Sequence, residues 1–201
     1  MQAAAVILAA GSSTRFGSPK QVARIGELTL LERVVALARE AGLAPIVAVV
    51  PPGLAVPADV LAVRNDAAHE GMSRSLRLGF AALPPDVRAA VILLGDQPTV
   101  PMESVTRVVA AAAGGSPVVA ASAGGRLAPP ILLMRAAFDL VDQTSGDAGL
   151  APVLARHPEL VTQIDVREHP PDVDVPADLA ALGELDGDVV AGSPETGAGR
   201  P

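Results

Sequence analysis

Short apolar runs alternate with amphipathic segments of helical length along most of the chain. The runs lack strict polar alternation, which is typical of strands covered on both faces of a sheet. Strand–helix alternation predicts one α/β domain, a three-layer αβα fold with a mostly parallel, Rossmann-like sheet. The predicted strands are residues 4–8, 44–50, 60–63, 89–94, 117–121, 131–134 and 160–166.

Local signals predict where several helices begin and end. Thr29 and Glu32 form a T-x-x-E capping box before an apolar stripe, and Gly42 is expected to end that helix. Ser73 is expected to cap a second helix, whose apolar stripe is at residues 76, 80 and 83. Pro101 is the predicted first residue of a third helix, which ends at residue 113. Either Ser145 or Asp147 is expected to cap a fourth helix, which ends at residue 156.

The composition changes near the carboxyl end of the chain. Residues 184–201 are mostly Gly, Asp, Ser, Pro, Glu and Ala, with few apolar side chains that could join a core. We therefore expect a domain of residues 1–183 followed by a flexible tail of residues 184–201.

Charge and composition narrow the classes of function. The formal net charge is −7, and the chain has 3 Phe with neither Trp nor Tyr, so non-specific nucleic-acid binding is not expected. The absence of cysteine excludes disulfides, thiolate catalysis and cysteine-ligated metals. No apolar run has transmembrane length, and the first lacks a preceding Lys or Arg, so we expect a cytoplasmic protein that does not bind membranes.

The first predicted strand leads into the loop L-A-A-G-S-S-T-R-F-G-S-P-K at residues 8–20. Ligands of parallel α/β sheets bind at the carboxyl ends of strands, and small residues let a phosphate chain approach backbone N–H groups. The loop matches neither G-x-x-x-x-G-K-[ST] nor G-x-G-x-x-G. A Gly/Ser-rich surface loop with solvated charges is the alternative. The predicted nucleotide contacts here are Leu8, Ala9, Ala10, Gly11, Ser12, Ser13, Arg15 and Lys20.

A carboxylate follows the most apolar predicted strand. Asp96 comes two residues after that strand, so it should face the ligand crevice. Mg²⁺ is commonly held by one or two protein carboxylates together with phosphate oxygens, which makes Asp96 the natural first ligand. A turn-forming aspartate is the alternative reading.

These segments together resemble the MobA-like nucleotidyltransferases, which include the molybdenum-cofactor guanylyl- and cytidylyltransferases. The opening loop is similar to the family signature L-A-A/G-G-x-S-x-R-M-G-x-x-K, with Phe16 in place of Met, and residues 95–98 resemble G-D-x-P. The resemblance implies a nucleotide-diphospho-sugar transferase type of fold. It also implies that Arg15 and Lys20 bind phosphate oxygens and that Asp96 holds the metal.

Residues 172–179, D-V-D-V-P-A-D-L, resemble the D-x-D-T-P-x-D-L segment of the family, with Val175 in place of Thr. The resemblance implies that Asp174 brings a second carboxylate to the same Mg²⁺. For Asp178, a structural role in the first turn of a helix is the alternative, and Asp172 is a weaker candidate ligand.

Residues 65–79 resemble the N-x₅-G-x-x-x-S-l-x-x-G segment of the cytidylyl-type branch. The resemblance places Gly71 and Ser75 beside the base and the α-phosphate, whereas Arg74 and Arg77 could either neutralise phosphate or be exposed on a helix. Around residues 124–133 the family has G-x-x-G-H-P-x-L-L, and the His is missing here. No role is assigned to the three histidines.

The resemblance implies Mg²⁺-dependent transfer of NMP from CTP or another NTP to a small phosphorylated acceptor. Ala10 matches the L-A-A-G of the cytidylyl branch, which favours CTP, and molybdopterin is the leading acceptor. One alternative is a sugar- or alditol-phosphate cytidylyltransferase. Another is a non-catalytic factor that binds a nucleotide or the pterin and serves a molybdenum hydroxylase. A nicotinamide-dependent oxidoreductase is disfavoured because G-x-G-x-x-G is absent.

Overall fold

The computed structural model describes residues 2–11, 16, 20–175 and 177–182. The predicted contacts Ser12, Ser13 and Arg15 lie outside the described residues, as does the predicted tail of residues 184–201. None of the described helices is long and apolar enough to cross a membrane.

Seven strands form one central sheet in the order β5-β4-β1-β6-β8-β7-β9. Neighbouring strands are parallel except that β8 is antiparallel to both β6 and β7. Two further short strands, β2 (Arg24–Ile25) and β3 (Leu28–Thr29), pair separately as an antiparallel ribbon. The strands of the central sheet are β1 (Ala4–Leu8), β4 (Ile46–Val50), β5 (Val60–Arg64), β6 (Ala89–Leu94), β7 (Val118–Ala123), β8 (Arg126–Met134) and β9 (Val161–Asp165).

Helices cover both faces of this sheet. On one face α1 (Leu30–Glu40) and α3 (Met102–Ala111) contribute to one buried cluster, and on the other face α2 (Met72–Ala81) contributes to a second. The remaining helices are α4 (Ala151–Ala155), α5 (residues 177–182) and the 3₁₀ segments Lys20–Val22, Ala68–Glu70, Ala112–Gly114, Arg135–Gln143 and Pro158–Leu160. The predicted three-layer, mostly parallel α/β fold is confirmed.

Small residues allow the layers to approach closely. All five residues of β1 are buried, and they are Ala, Val, Ile and Leu. A Cβ built on Gly79 in α2 would lie 2.5 Å from Val6 Cγ1 and 3.0 Å from Val49 Cγ2, so this helix rests directly on β1 and β4. The buried apolar side chains of the described chain are Ala, Val, Ile, Leu and Phe, without Trp or Tyr.

The capping box predicted before α1 is confirmed. Thr29 Oγ1 accepts a hydrogen bond from the Glu32 backbone N–H at 3.1 Å, and Glu32 Oε2 accepts one from the Thr29 N–H at 2.8 Å. These reciprocal bonds satisfy two N–H groups that the first turn of a helix otherwise leaves unpaired.

Two other cap predictions are wrong. Helix α2 begins at Met72, so Ser73 lies inside the helix, and the Met72 N–H donates to the Asp147 carboxylate at 3.2 Å instead. The segment of residues 145–150 docks on the start of α2, and Gly146 O accepts the Ser73 N–H at 3.0 Å. Because Asp147 is used in this contact, α4 begins only at Ala151, with neither Ser145 nor Asp147 as its cap.

Strand β8 is longer than the predicted residues 131–134. It begins at Arg126 and continues through Pro129 and Pro130, where the β7–β8 register shifts between Ala120 and Ala121. Prolines usually interrupt a ladder, and the register shift accommodates them at this point.

Candidate functional site

The loops after β1 and β6 leave the sheet side by side. These strands are parallel neighbours with Leu8 opposite Leu94, and the Gly95 N–H donates to Leu8 O at 2.8 Å. A Cβ built on Gly95 would lie 2.6 Å from the Ala9 Cβ, closer than real Cβ contacts. Only glycine at position 95 lets the two loops touch in this way, and their contact fixes the floor of the site.

A buried lysine joins the two predicted metal ligands. Lys20 Nζ donates to Asp96 Oδ2 at 2.7 Å and to Asp174 Oδ1 at 3.1 Å. The two carboxylate oxygens can therefore be separated by no more than the sum of these distances. The side chain of Lys20 is 11% exposed, compared with 26% for Asp96 and 52% for Asp174. The carboxylates thus converge at the open side of the lysine.

Contacts of the neighbouring residues place Asp174. The adjacent Val173 is fully buried with Ile25 and Leu30, and its N–H donates to Asp96 O at 2.9 Å. Asp178 Oδ2 accepts the Asp174 and Val175 backbone N–H groups, both at 2.9 Å. These two bonds lower the pKa of Asp178, and they give it the structural role that was the alternative for this residue.

The charges of this cluster are coupled. Burial opposes the charge of Lys20, but hydrogen bonds and attraction from Asp96 and then Asp174 outweigh it, so its pKa is raised. Burial raises the pKa of Asp172, the negative charges of Asp96 and Asp174 add to that rise, and a hydrogen bond from Gln97 Nε2 at 2.9 Å opposes it. Within the described part of the chain, the Lys20 ammonium therefore shares its charge between the Asp96 and Asp174 carboxylates.

The residues present fit a divalent ion that takes most of its ligands from substrate phosphates and water rather than from the protein. Asp96 and Asp174 already bring oxygens to one shared cation, the Lys20 ammonium. No three acidic, His or Cys side chains within the described part of the chain are grouped to hold a metal ion. Mg²⁺ typically accepts such a donor set, with one or two carboxylates and the remaining oxygens from phosphate and water.

A cleft of about 380 Å³ opens beside Asp96. It brings together six of the residues that the sequence predicted for nucleotide or metal binding. Ala9 does not line this cleft and belongs instead to the buried cluster under α1 and α3. The predicted residues in the cleft wall are Leu8, Ala10, Gly11, Gly71, Ser75 and Asp96.

Gly71 contacts protein backbone rather than open space. Its φ is +99°, and a Cβ at this position would lie 2.4 Å from the carbonyl carbon of Gly146. Glycine is required here by the approach of residues 146–147, which then form part of the cleft wall through Asp147.

A hydrogen-bonded network backs the cleft behind Ser75. Asn65 Nδ2 donates to Ser75 Oγ at 2.9 Å, and Asn65 Oδ1 accepts from Arg74 Nε at 3.0 Å. Arg74 also forms ion pairs with Asp66 and Glu70. The structure therefore shows intramolecular contacts for Arg74, and the network holds Ser75 in place.

Several residues of the site were missed by sequence reasoning. His69, Met72 and Asp147 line the cleft, and His69 carries the only ring among the described lining residues. Asp172, which was expected only as a weaker candidate ligand, lines it as well. Gln21 Nε2 donates to Gly11 O at 3.0 Å and so holds the first loop. The position of His69 within the motif of residues 65–79 was the available signal.

Comparisons with known proteins bear on the family and the fold of the chain. The family model described as the MobA-like NTP transferase domain matches residues 5–161. The crystal structure of Rv0371c from Mycobacterium tuberculosis H37Rv has 26% sequence identity and a TM-score of 0.77, over 92% of this chain and 99% of that chain. Its homologue from Mycobacterium sp. strain JC1 has 25% identity and a TM-score of 0.82, over 94% and 100%.

A more distant structure shares the fold. The 2-C-methyl-D-erythritol 4-phosphate cytidylyltransferase of Thermus thermophilus has 20% identity and a TM-score of 0.69, over 92% of this chain and 98% of that chain. The sequence comparison with curated proteins gives no match.

Proposed function

The chain belongs to the MobA-like NTP transferase family and is a nucleotidyltransferase, and we propose that it transfers CMP from CTP to a small phosphorylated acceptor. The observation that carries the proposal is the convergence of Asp96, which lines the cleft, and Asp174 on one cation. The leading acceptor is molybdopterin in its molybdenum-bearing form, and the product would pass to a molybdenum hydroxylase in the cytoplasm.

The preference for CTP rests on the first loop. Ala10 lines the cleft, and its methyl group reduces the space available to a base compared with glycine. The L-A-A-G sequence resembles the cytidylyl branch of the family. A cytidylyltransferase among the proteins of the same fold is compatible with this preference.

In the proposed reaction, an oxygen of the acceptor phosphate attacks the α-phosphorus of CTP. A new P–O bond forms, the bond between the α-phosphorus and the bridging oxygen breaks, and pyrophosphate leaves with that electron pair. The nucleophile is already anionic, so no general base is needed. Such a transfer depends on positioning and charge neutralisation.

Each described residue has a definite task in this proposal. Asp96 and Asp174 would hold Mg²⁺, which when bound supplies positive charge to the phosphate oxygens. Gly11 and Ala10 allow the phosphates to approach the backbone, and Lys20 supplies a cation at the same edge. Arg15, outside the described residues, is assigned with Lys20 to the β- and γ-phosphates.

The test is release of pyrophosphate by the purified chain with CTP, Mg²⁺ and molybdenum-bearing molybdopterin. ATP, GTP and UTP are the nucleotide controls, and a sugar phosphate and an alditol phosphate are the acceptor controls. Release that requires both CTP and the molybdopterin supports the proposal. Release with another nucleotide would show that the preferred base is not cytosine. Tight CTP binding without transfer to any acceptor would favour the alternative that the chain is a non-catalytic binding factor.

A further inference from the structure

A second pocket opens beside the cleft and has a different chemical character. Its volume is about 160 Å³. Among the described residues that line it, none has a charged, hydroxyl or amide side chain. The larger side chains around it include Leu76, Ile92, Leu94, Leu127, Ile131 and Leu150.

This apolar pocket is adjacent to the cleft. Leu8, Met72 and Leu94 line both spaces, so these three side chains lie between the cleft and the pocket. Leu94 precedes Asp96 by two residues, so their backbones are at most about 7 Å apart, the length of two residues of extended chain. A compact molecule with its phosphate near Asp96 therefore reaches the apolar pocket with its other end.

The walls of the two spaces suit different groups. The cleft offers Ser75, His69 and Asp147, which can bind the polar edges of a nucleotide. The apolar pocket is bordered by Pro129 and has Pro130 next in the strand, and neither has a backbone N–H to donate. A hydroxyl placed there would lose its hydrogen bonds to water without regaining them from side chains.

We propose that this pocket holds the non-phosphate part of the acceptor, and that this part is apolar or presents a flat unsaturated face. The inference rests on the proposed function and names the substrate class of the same site. The acceptor is a compact phosphomonoester without a chain of hydroxyl groups, so sugar and alditol phosphates are disfavoured. A pterin fits only with its hydrogen-bonding edge outside the pocket.

The test compares phenyl phosphate with glycerol 1-phosphate, which carry the same phosphate group on an apolar and a hydroxylated body. Binding is measured by calorimetry without nucleotide, and pyrophosphate release is measured with CTP and Mg²⁺. We expect phenyl phosphate to bind about tenfold more tightly, the scale of discrimination that a small apolar pocket provides. Equal binding, or preference for glycerol 1-phosphate, would overturn the inference.

The two measurements separate the inference from the proposed function. Preferential binding of phenyl phosphate without transfer to any acceptor would support the apolar subsite and contradict the cytidylyl-transfer proposal. Transfer that is restricted to hydroxylated phosphates would support cytidylyl transfer and contradict the apolar subsite.

Variants locate the binding. Ala148→Phe adds a ring at an exposed position of the pocket wall, and we expect about tenfold weaker binding of phenyl phosphate with unchanged binding of CTP. Leu127→Asn keeps the side-chain length and branching and replaces two methyl groups with an amide, so it should reduce the preference for phenyl phosphate. The matched control is Ala113→Phe, an exposed position after α3 on the opposite face of the sheet. Weaker binding of CTP to Ala148→Phe would assign the pocket to the nucleotide and contradict the inference.

Discussion

Asp96 and Asp174 lie in distant parts of the chain, yet both accept a hydrogen bond from the same Lys20 ammonium, at 2.7 and 3.1 Å. Asp96 follows the central strand β6, whereas Asp174 is held in place by the buried Val173. We expect these two carboxylates to share a divalent metal ion as well.

Asp96→Asn and Asp174→Asn should each remove metal-dependent turnover while the fold survives. Each amide keeps the shape of the side chain but loses the charge that a divalent ion needs, and we expect turnover to fall by about 100-fold or more. Pyrophosphate release and calorimetric Mn²⁺ binding measure the two effects. Asp86→Asn, at an exposed turn, is the control. Full activity of Asp96→Asn would remove the metal assignment.

Lys20→Met should destabilise the metal-free protein, because Asp96 and Asp174 would each lose the ion pair with the Lys20 ammonium. Partly buried ion pairs that lose one member cost about 2 kcal/mol or more. Since the pKa of Lys20 is raised, its stabilising contribution is present at neutral pH and is lost as pH rises through that higher pKa. Thermal unfolding with and without Mg²⁺ measures the effect, and Mg²⁺ should stabilise the variant more than the wild type. An equal response of both proteins would contradict this prediction.

Gly95→Ala should disturb the contact between the two loops that form the floor of the site. The added Cβ would lie 2.6 Å from the Ala9 Cβ, and overpacking of this kind costs about 2 kcal/mol. Denaturant unfolding and CTP binding should both weaken. Gly114→Ala is the matched control, because a Cβ there meets nothing within 4 Å. A variant at position 95 as stable as this control would show that the loops separate easily.

Gly71→Ala combines an unfavourable backbone angle with a collision. Gly53 has a similar φ, +80° compared with +99°, but a Cβ at Gly53 meets nothing within 4 Å, whereas one at Gly71 would lie 2.4 Å from Gly146. Gly53→Ala should therefore cost only the backbone term, about 1 kcal/mol. Gly71→Ala should lose more stability and also weaken CTP binding, since residues 146–147 must move. Equal losses in the two variants would leave only the backbone angle as their cause.

Asp172→Asn should leave stability unchanged or raise it near neutral pH, by at most about 1 kcal/mol. Burial raises the pKa of Asp172, so its ionised form opposes folding, and the wild type should gain stability as pH falls through that raised pKa. The variant lacks this pH dependence because an amide does not titrate in this range. Its oxygen can still accept the hydrogen bond from Gln97. The difference is measured by thermal unfolding of both proteins between about pH 4 and about pH 8, which covers the titration of a carboxyl group with a raised pKa. Parallel pH profiles would contradict the prediction.

Fold class was predictable because its signals are local. Buried runs such as residues 89–94 are readable without any tertiary information, and so is the Thr29–Glu32 box, whose members are three residues apart. The position of Asp96 after a buried strand was enough to place it at the ligand edge. Its role as a metal ligand stays a prediction, as do the roles of Arg15, Lys20 and Asp174.

The wrong predictions share one cause, which is competition by a distant segment. Ser73 is a good local cap, but Asp147 and Gly146 accept the hydrogen bonds of the first N–H groups of α2 instead. The two prolines of β8 locally favour a break, but β7 pairs with residues 126–128 and 131–133 on either side of them and so keeps the strand in the sheet. Local preferences are worth about 1 kcal/mol and yield to such contacts.

The sequence alone determined the alternating strands and helices, the first helix cap and the edge of the sheet where ligands bind. Only the tertiary structure decided that Lys20 joins Asp96 to Asp174, that Asp147 caps α2, and that an apolar pocket lies beside the cleft. The physical reason is distance along the chain. Periodicity and capping act between residues a few positions apart, whereas these contacts exist only after the packing of layers has brought remote segments together.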